Sequence, residues 1–202
     1  MLGKVLLLEK AQVINDRGNN RDLRVYRRKS VWVGRGMVAR CERLLNFVEK
    51  RYYAAHNQDS ILATHYDTEV HILKEVEGVQ GIPNMLAHSK MLPLGAQVIY
   101  MDYCGEPLSL SNCPRNWREQ ATKLGDALND LGIYHGDINV RNICIRDGQL
   151  YLIDFGLISA IKPAQSFAES IQTILDDLAL PKHRQKNTEI LQRRLRRPRK
   201  GR

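Results

Sequence analysis

Residues 142–154 read NICIRDGQLYLID. Two short apolar runs flank Asp147 and Gly148, a dipeptide well suited to the two-residue turn of an antiparallel hairpin. Closing the hairpin there sets the register, and the register sets the neighbours. Asn142, at the start of the first strand, comes beside Asp154, at the end of the second. Two hard oxygen donors at one end of a hairpin suit Mg²⁺, which takes a few carboxylate or amide oxygens and completes its shell with phosphate and water. Asp137 lies in the turn before the first strand, where a carboxylate can accept a hydroxyl proton or orient an attacking oxygen. Metal, base and phosphate together imply phosphoryl transfer.

A chain of 202 residues has room for one substantial core, or for a small lobe beside a larger one, and too little for two independent full-size domains. No run of about 18 apolar residues is present, and the opening MLGKVLLLEK meets charge too soon to be a signal peptide or a span. A soluble, cytoplasmic protein is expected. Cys41, Cys104, Cys113 and Cys144 form no C-x-x-C pair and have no histidine at metal-ligand spacing, which argues for reduced thiols rather than zinc or a disulfide framework. The net charge of +9 is uneven, since seven of the last ten residues are Lys or Arg. Such a run is either a solvated end or an electrostatic contact with the phosphates of nucleic acid or of an anionic membrane.

Residues 1–29 read as an N-terminal extension, apolar in VLLLEKAQVI and turn-rich in NDRGNNRD. From Ser30, the runs SVWVG, MVARC and LLNFVEKRYY are short strands joined by tight turns, an antiparallel meander. In ATHYDTEVHILKEVEG, Val70, Ile72, Leu73 and Val76 mark a helix face, with Asp67 as its cap and Gly78 as its stop. GAQVIYMDY reads as a strand and GEPLSLSNCP as a connector. NWREQATKLGDALNDLG sets Ala121, Leu124, Ala127, Leu128 and Leu131 at helical intervals before a break at Gly132. SFAESIQTILDDLAL is a helix closed by Pro181, and TEILQRRLRR is a helical pattern that runs into the tail.

His135, Asp137 and Asn142 fit H-x-D-x-x-x-x-N, and Asp154, Phe155 and Gly156 spell D-F-G. Their internal spacing, the D-G hairpin between them and the amphipathic helix before them make the combination far more specific than either motif alone. In these features the chain resembles the protein-kinase-like superfamily over about residues 30–180. The resemblance implies an α+β, bilobal protein-kinase-like fold. A small β-rich N-lobe would cover about 30–103 and a shortened helical C-lobe about 104–180, between the extension 1–29 and a basic tail at 181–202. It also implies ATP with Mg²⁺ or Mn²⁺, Asn142 and Asp154 as metal ligands, and Asp137, Asn142 and Lys50 as catalytic residues. Gly34 and Gly36, in a G-x-G-x-x-A that ends at Ala39, would let backbone N–H groups reach phosphate oxygens. Lys50 resembles the lysine that contacts the α- and β-phosphates, and Glu69 its ion-pair partner, with Arg51 and Glu75 as rivals. VIYMDYCGEPL resembles the strand and hinge behind the adenine, where backbone groups of Asp102 to Cys104 would bond the base and Met101 would flank it. Met101 fits an ordinary core equally well.

The departures narrow the expectation. Gly136 stands where an arginine usually reaches a phosphorylated activation segment, and Asn139 where a lysine usually contacts the transferred phosphate. No A-P-E follows D-F-G, and only 46 residues remain after Gly156, so the peptide-binding part of the lower lobe is expected to be largely missing from this sequence. H-G-D with a short C-lobe is most similar to the small atypical kinases: the RIO type, the kinase of the tRNA-threonylcarbamoylation complex, and the lipopolysaccharide and InaA-type kinases. His135 is expected to support its loop structurally. Two readings stay open. One is an ATP- and Mg²⁺-dependent phosphotransferase whose acceptor is a protein Ser or Thr hydroxyl, a sugar hydroxyl or water. The other is a kinase-like adaptor or RNA-associated module with weak or no turnover, working through the basic tail.

Overall fold

The computed structural model describes residues 8–14, 20–26, 31–35, 39–44, 46–52, 60–89 and 97–181, with backbone alone for 8–35, Leu44 and 60–63. Gly36, most of the basic tail and the TEILQRRLRR pattern lie outside the described residues. Within the N-terminal extension, β1 (Leu8–Ile14) and β2 (Asn20–Tyr26) pair antiparallel, with Leu8 opposite Tyr26 and Ile14 opposite Asn20. The expected meander follows as β3 (Val31–Arg35), β4 (Ala39–Leu44) and β5 (Phe47–Tyr52).

After β5 comes α1 (Ser60–Glu75), which buries Tyr66, Val70 and Leu73 along one face, with Val76 buried just past its end. The helix begins seven residues before Asp67, so the expected cap there is wrong: Asp67 is an exposed residue in the helix interior. The apolar face identified the helix, but its polar first turns carry no period to mark where it starts. Two more strands, β6 (Met85–Ser89) and β7 (Val98–Asp102), complete a five-stranded sheet of order β3-β4-β5-β7-β6. β6 had no separate signal in the sequence; β1 lies against it. Strand alternation gives β5 two different faces. Val48, Lys50 and Tyr52 face α1 and the core, while Glu49 and Arg51 bond each other at 2.7 Å on the opposite face.

The chain then leaves the sheet through Tyr103 and Cys104 into β8 (Glu106–Pro107) and reaches α2 (Trp117–Asp130). Gly132, with φ 68, ends the helix by taking the left-handed conformation that favours glycine. β9 (Tyr134–His135) leads to the hairpin of β10 (Ile143–Arg146) and β11 (Gln149–Leu152). Its turn has Asp147 at φ 52 and Gly148 at φ 75, two consecutive left-handed residues as a type I′ turn requires. Ile143 is opposite Leu152, the register expected. β8 adds a third strand beside β10, β12 (Ile158–Ser159) pairs with β9, and α3 (Phe167–Ala179) closes the described part. Ser166 and Glu169 cap α3 reciprocally, each side chain bonding the other's backbone N–H. Ala121, Leu124 and Leu128 of α2 and Phe167, Ile171 and Leu175 of α3 are buried where these helices meet, and α2 also packs on β11. No helix among the described residues is long and apolar enough to cross a membrane.

Candidate active site

Lys50 lies on the inner face of β5 and Glu69 on the buried face of α1. The ammonium reaches Glu69 Oε2 at 2.6 Å and Asp154 Oδ1 at 2.6 Å. Arg51, its sequence rival, points the other way to Glu49, and Glu75 is exposed. The choice between Lys50 and Arg51 is therefore one of strand parity. Burial opposes the charge on Lys50, but the carboxylates of Glu69 and Asp154 outweigh it and hold the ammonium well above its ordinary pKa. Burial raises the Glu69 carboxyl despite Lys50. At Asp154 burial pushes upward, and Lys50 outweighs it to hold the carboxyl below its ordinary value. Asp154 has φ 70, a left-handed conformation uncommon outside glycine. Two residues on, a Cβ on Gly156 would stand 3.1 Å from His65 Nδ1, so α1 packs closely on the D-F-G segment.

The loop between β9 and β10 is organised by its own side chains. His135 Nδ1 accepts from the Asp137 N–H at 3.1 Å, which makes Nε2 the protonated nitrogen that donates to Ile153 O at 3.0 Å. Burial lowers the His135 pKa, in keeping with a neutral ring. Its imidazole meets the fully buried Phe155 edge to face at 5.0 Å. His135 thus ties the loop to the end of β11, the supporting role expected. Asn142 Nδ2 donates to Asp137 O at 2.8 Å and to Asp137 Oδ2 at 3.3 Å. With its nitrogen turned to Asp137, the amide oxygen of Asn142 is the atom left to face a cation. Ile153 N donates to Asn142 O at 2.9 Å, which brings Asn142 level with the residue before Asp154, as the hairpin register demands.

The two candidate metal ligands are thus brought to one strand end, but Asn142 engages Asp137 while Asp154 engages Lys50. An amide oxygen and an anionic carboxylate, with a second carboxylate on Asp137, are a donor set that fits Mg²⁺ or Mn²⁺ completed by phosphate and water. No cluster of three or more His, Cys, Asp or Glu that could hold a metal occurs among the described residues. Asn139 is turned into its own loop: Nδ2 donates to Asp137 O at 3.2 Å, and Oδ1 accepts from Arg141 N at 2.9 Å.

Of the phosphate-loop residues, Gly34 lies in β3 opposite Cys41, next to an irregularity in the β3–β4 ladder. Met101 is buried in the core opposite Met85. In the linker, Asp102 N donates to Asn84 O and Tyr103 N to Asn46 O, both at 3.0 Å, while Tyr103 O accepts from Arg146 at 2.7 Å. Those groups serve the fold. Cys104 is buried there, its thiol pushed up to about 12 by burial.

Tyr52 is the member of the site that the motifs do not contain: its hydroxyl donates to Glu69 Oε2. His65 is a second. Both lay in plain view, two residues after Lys50 and four before Glu69, and the strand and helix periods would have placed each beside its partner.

No family model matches the chain. Among curated proteins, 62 residues are 40% identical to the "probable bifunctional tRNA threonylcarbamoyladenosine biosynthesis protein" of Methanoculleus marisnigri, over 31% of this chain and 12% of that protein. A stretch of 147 residues is 27% identical to the serine/threonine-protein kinase mph1 of Schizosaccharomyces pombe, over 64% of this chain and 21% of that one. Among solved structures, WbdD superposes with a TM-score of 0.55 at 18% identity, over 81% of this chain and 40% of WbdD. WbdD with a kinase inhibitor gives 0.54 at 17% identity, over 89% of this chain and 42% of that one. WbdD is described as a bifunctional kinase-methyltransferase. The chain therefore spans a minor part of each relative's length. The likeness to WbdD shows an α+β protein-kinase-like fold.

Proposed function

We propose that the chain is an ATP- and Mg²⁺-dependent phosphotransferase that moves the terminal phosphate of ATP to a hydroxyl acceptor. One observation carries the reading: Lys50 is held between Glu69 and Asp154, 19 and 104 residues away in sequence, at 2.6 Å from each. A buried ammonium between two carboxylates is a costly arrangement with no need in a purely structural core, and it suits a site that exchanges one carboxylate for phosphate. Lys50, kept in place by Glu69, would bind the α- and β-phosphates. Gly34 and Gly36 would cover them with backbone N–H groups. Asn142 and Asp154 would hold Mg²⁺ or Mn²⁺, which when bound neutralises charge on the phosphate oxygens. Asp137, oriented by Asn142, would accept the acceptor's proton or align its oxygen. The base would sit against the Asp102–Cys104 linker, using the backbone groups there that the fold does not consume, with Met101 behind it. The acceptor is a protein Ser or Thr or a sugar hydroxyl.

The test is transfer of the terminal phosphate of ATP to the protein itself, to a generic protein acceptor, to sugars and to water, with Mg²⁺ or Mn²⁺. We expect turnover in the wild type and a loss of about 100-fold or more in Asp137→Asn and Asp154→Ala, both still folded. Absence of metal-dependent ATP binding would sink the site assignment. The adaptor reading draws on the inward turn of Asn139, which leaves that position without a cation for the transferred phosphate. It predicts ATP binding without turnover, and salt-dependent binding of RNA or an anionic surface that disappears when residues 193–202 are deleted.

A further inference from the structure

Tyr52 follows Lys50 by two positions, so strand alternation puts both on the face of β5 that looks at α1. Its hydroxyl donates to Glu69 Oε2, the oxygen that also takes Lys50. The tyrosine is itself held. Its ring packs edge to face on Tyr66, with centroids 5.5 Å apart at 85°, and the Tyr66 hydroxyl reaches His88 Nδ1 on β6 at 3.0 Å. A line of contacts thus runs from β6 through α1 to the Glu69 carboxylate.

Glu69 is 1% exposed, and its other oxygen, Oε1, has no hydrogen-bond partner among the described residues. A buried carboxylate with one bare oxygen depends on every donor at the other. Lys50 is a divided donor, because it also reaches Asp154. Tyr52 is an undivided one: its own burial raises its pKa far above the ordinary tyrosine value, so the hydroxyl keeps its proton.

We propose that Tyr52 is a positioning residue of the nucleotide site, whose hydroxyl holds Glu69 in place so that Lys50 keeps a fixed partner when Asp154 leaves it for a metal–phosphate ligand. The inference rests on the nucleotide reading above. With Asp154 gone to the metal, Glu69 is the remaining counter-charge of Lys50. A Glu69 secured by a second donor keeps the ammonium aimed at the phosphates.

The experiment is a double-mutant cycle on MgATP binding, using the full chain as wild type, Tyr52→Phe, Glu69→Gln and the double variant, each checked for folding. We expect Tyr52→Phe to weaken MgATP about tenfold and Glu69→Gln to weaken it further. The double variant should bind no more weakly than Glu69→Gln alone, because Tyr52 acts through Glu69. Where transfer is measured, the loss should fall on KM for ATP, with kcat within about twofold. Additive losses, or wild-type affinity in Tyr52→Phe, overturn the proposal. Binding lost in Lys50→Ala but unchanged in Tyr52→Phe defeats this inference alone, whereas a wild type that does not bind MgATP defeats the nucleotide reading and this inference with it. If Tyr52→Phe does not fold, Tyr52→Met takes its place in the same cycle with the same expectation.

Discussion

Lys50, Glu69 and Asp154 meet across long stretches of chain with Lys50 and Glu69 deeply buried, whereas His135, Asp137, Asn139 and Asn142 bond one another within a half-exposed loop. In the first group Lys50 and Glu69 hold charge in a dry setting, with the partly exposed Asp154 at its edge, so the buried pair depend on each other. Removing one leaves a buried charge without its partner. The second group is a set of mostly neutral hydrogen bonds that runs from the buried His135 and Asn142 to the exposed Asp137, where losing one bond costs about the net value of that bond. The site therefore joins an all-or-none half to a gradual half.

The hardest test of that contrast is Lys50→Met, which leaves Glu69 buried with only Tyr52 as donor. It should cost about 3 kcal/mol in urea unfolding, and adding Glu69→Leu should restore most of it. A single-variant cost below about 1 kcal/mol would remove the distinction between the two halves. Next in size is His135→Ala, which takes away both loop bonds and the contact with Phe155 and should cost about 2 kcal/mol.

A pH series sharpens the same residue. Burial holds the His135 pKa below its ordinary value of about 6.5. The unfolded chain then takes up the proton first, so the histidine's contribution is complete above about pH 6.5 and is lost as pH falls through the folded-state pKa. Stability measured at about pH 7.5 and about pH 5.5 should differ in the wild type, and His135→Asn should flatten the part of that slope due to the ring. A slope unchanged by the substitution would show that the His135 ring does not carry it. The smallest expected effect is Asn139→Ala, about 1 kcal/mol, since its two bonds end on backbone groups that water can also reach.

The loop half was legible before any coordinates. The D-G turn, the register it imposes and the spacing of Asp137, Asn142 and Asp154 all act over a few residues, where turn chemistry and strand period leave little freedom. The charged half was legible only as candidates. Alternation says that Lys50 and Arg51 face opposite ways, but not which face is inside. Asp67 looked like a cap because the polar beginning of α1 carries no period. β6 escaped notice because its residues, MLAHS, neither alternate cleanly nor form an apolar run.

By itself, then, the sequence determined the hairpin, the helix faces and the catalytic-type spacing, because local sterics and periodicity decide them. Tertiary structure alone decided that Lys50 would stand between Glu69 and Asp154, that Tyr52 would share the Glu69 oxygen, and that His65 would close over Gly156. Those contacts follow from how α1 seats on the sheet and how the β10–β11 hairpin meets both, and packing of distant elements leaves no periodic trace in a chain.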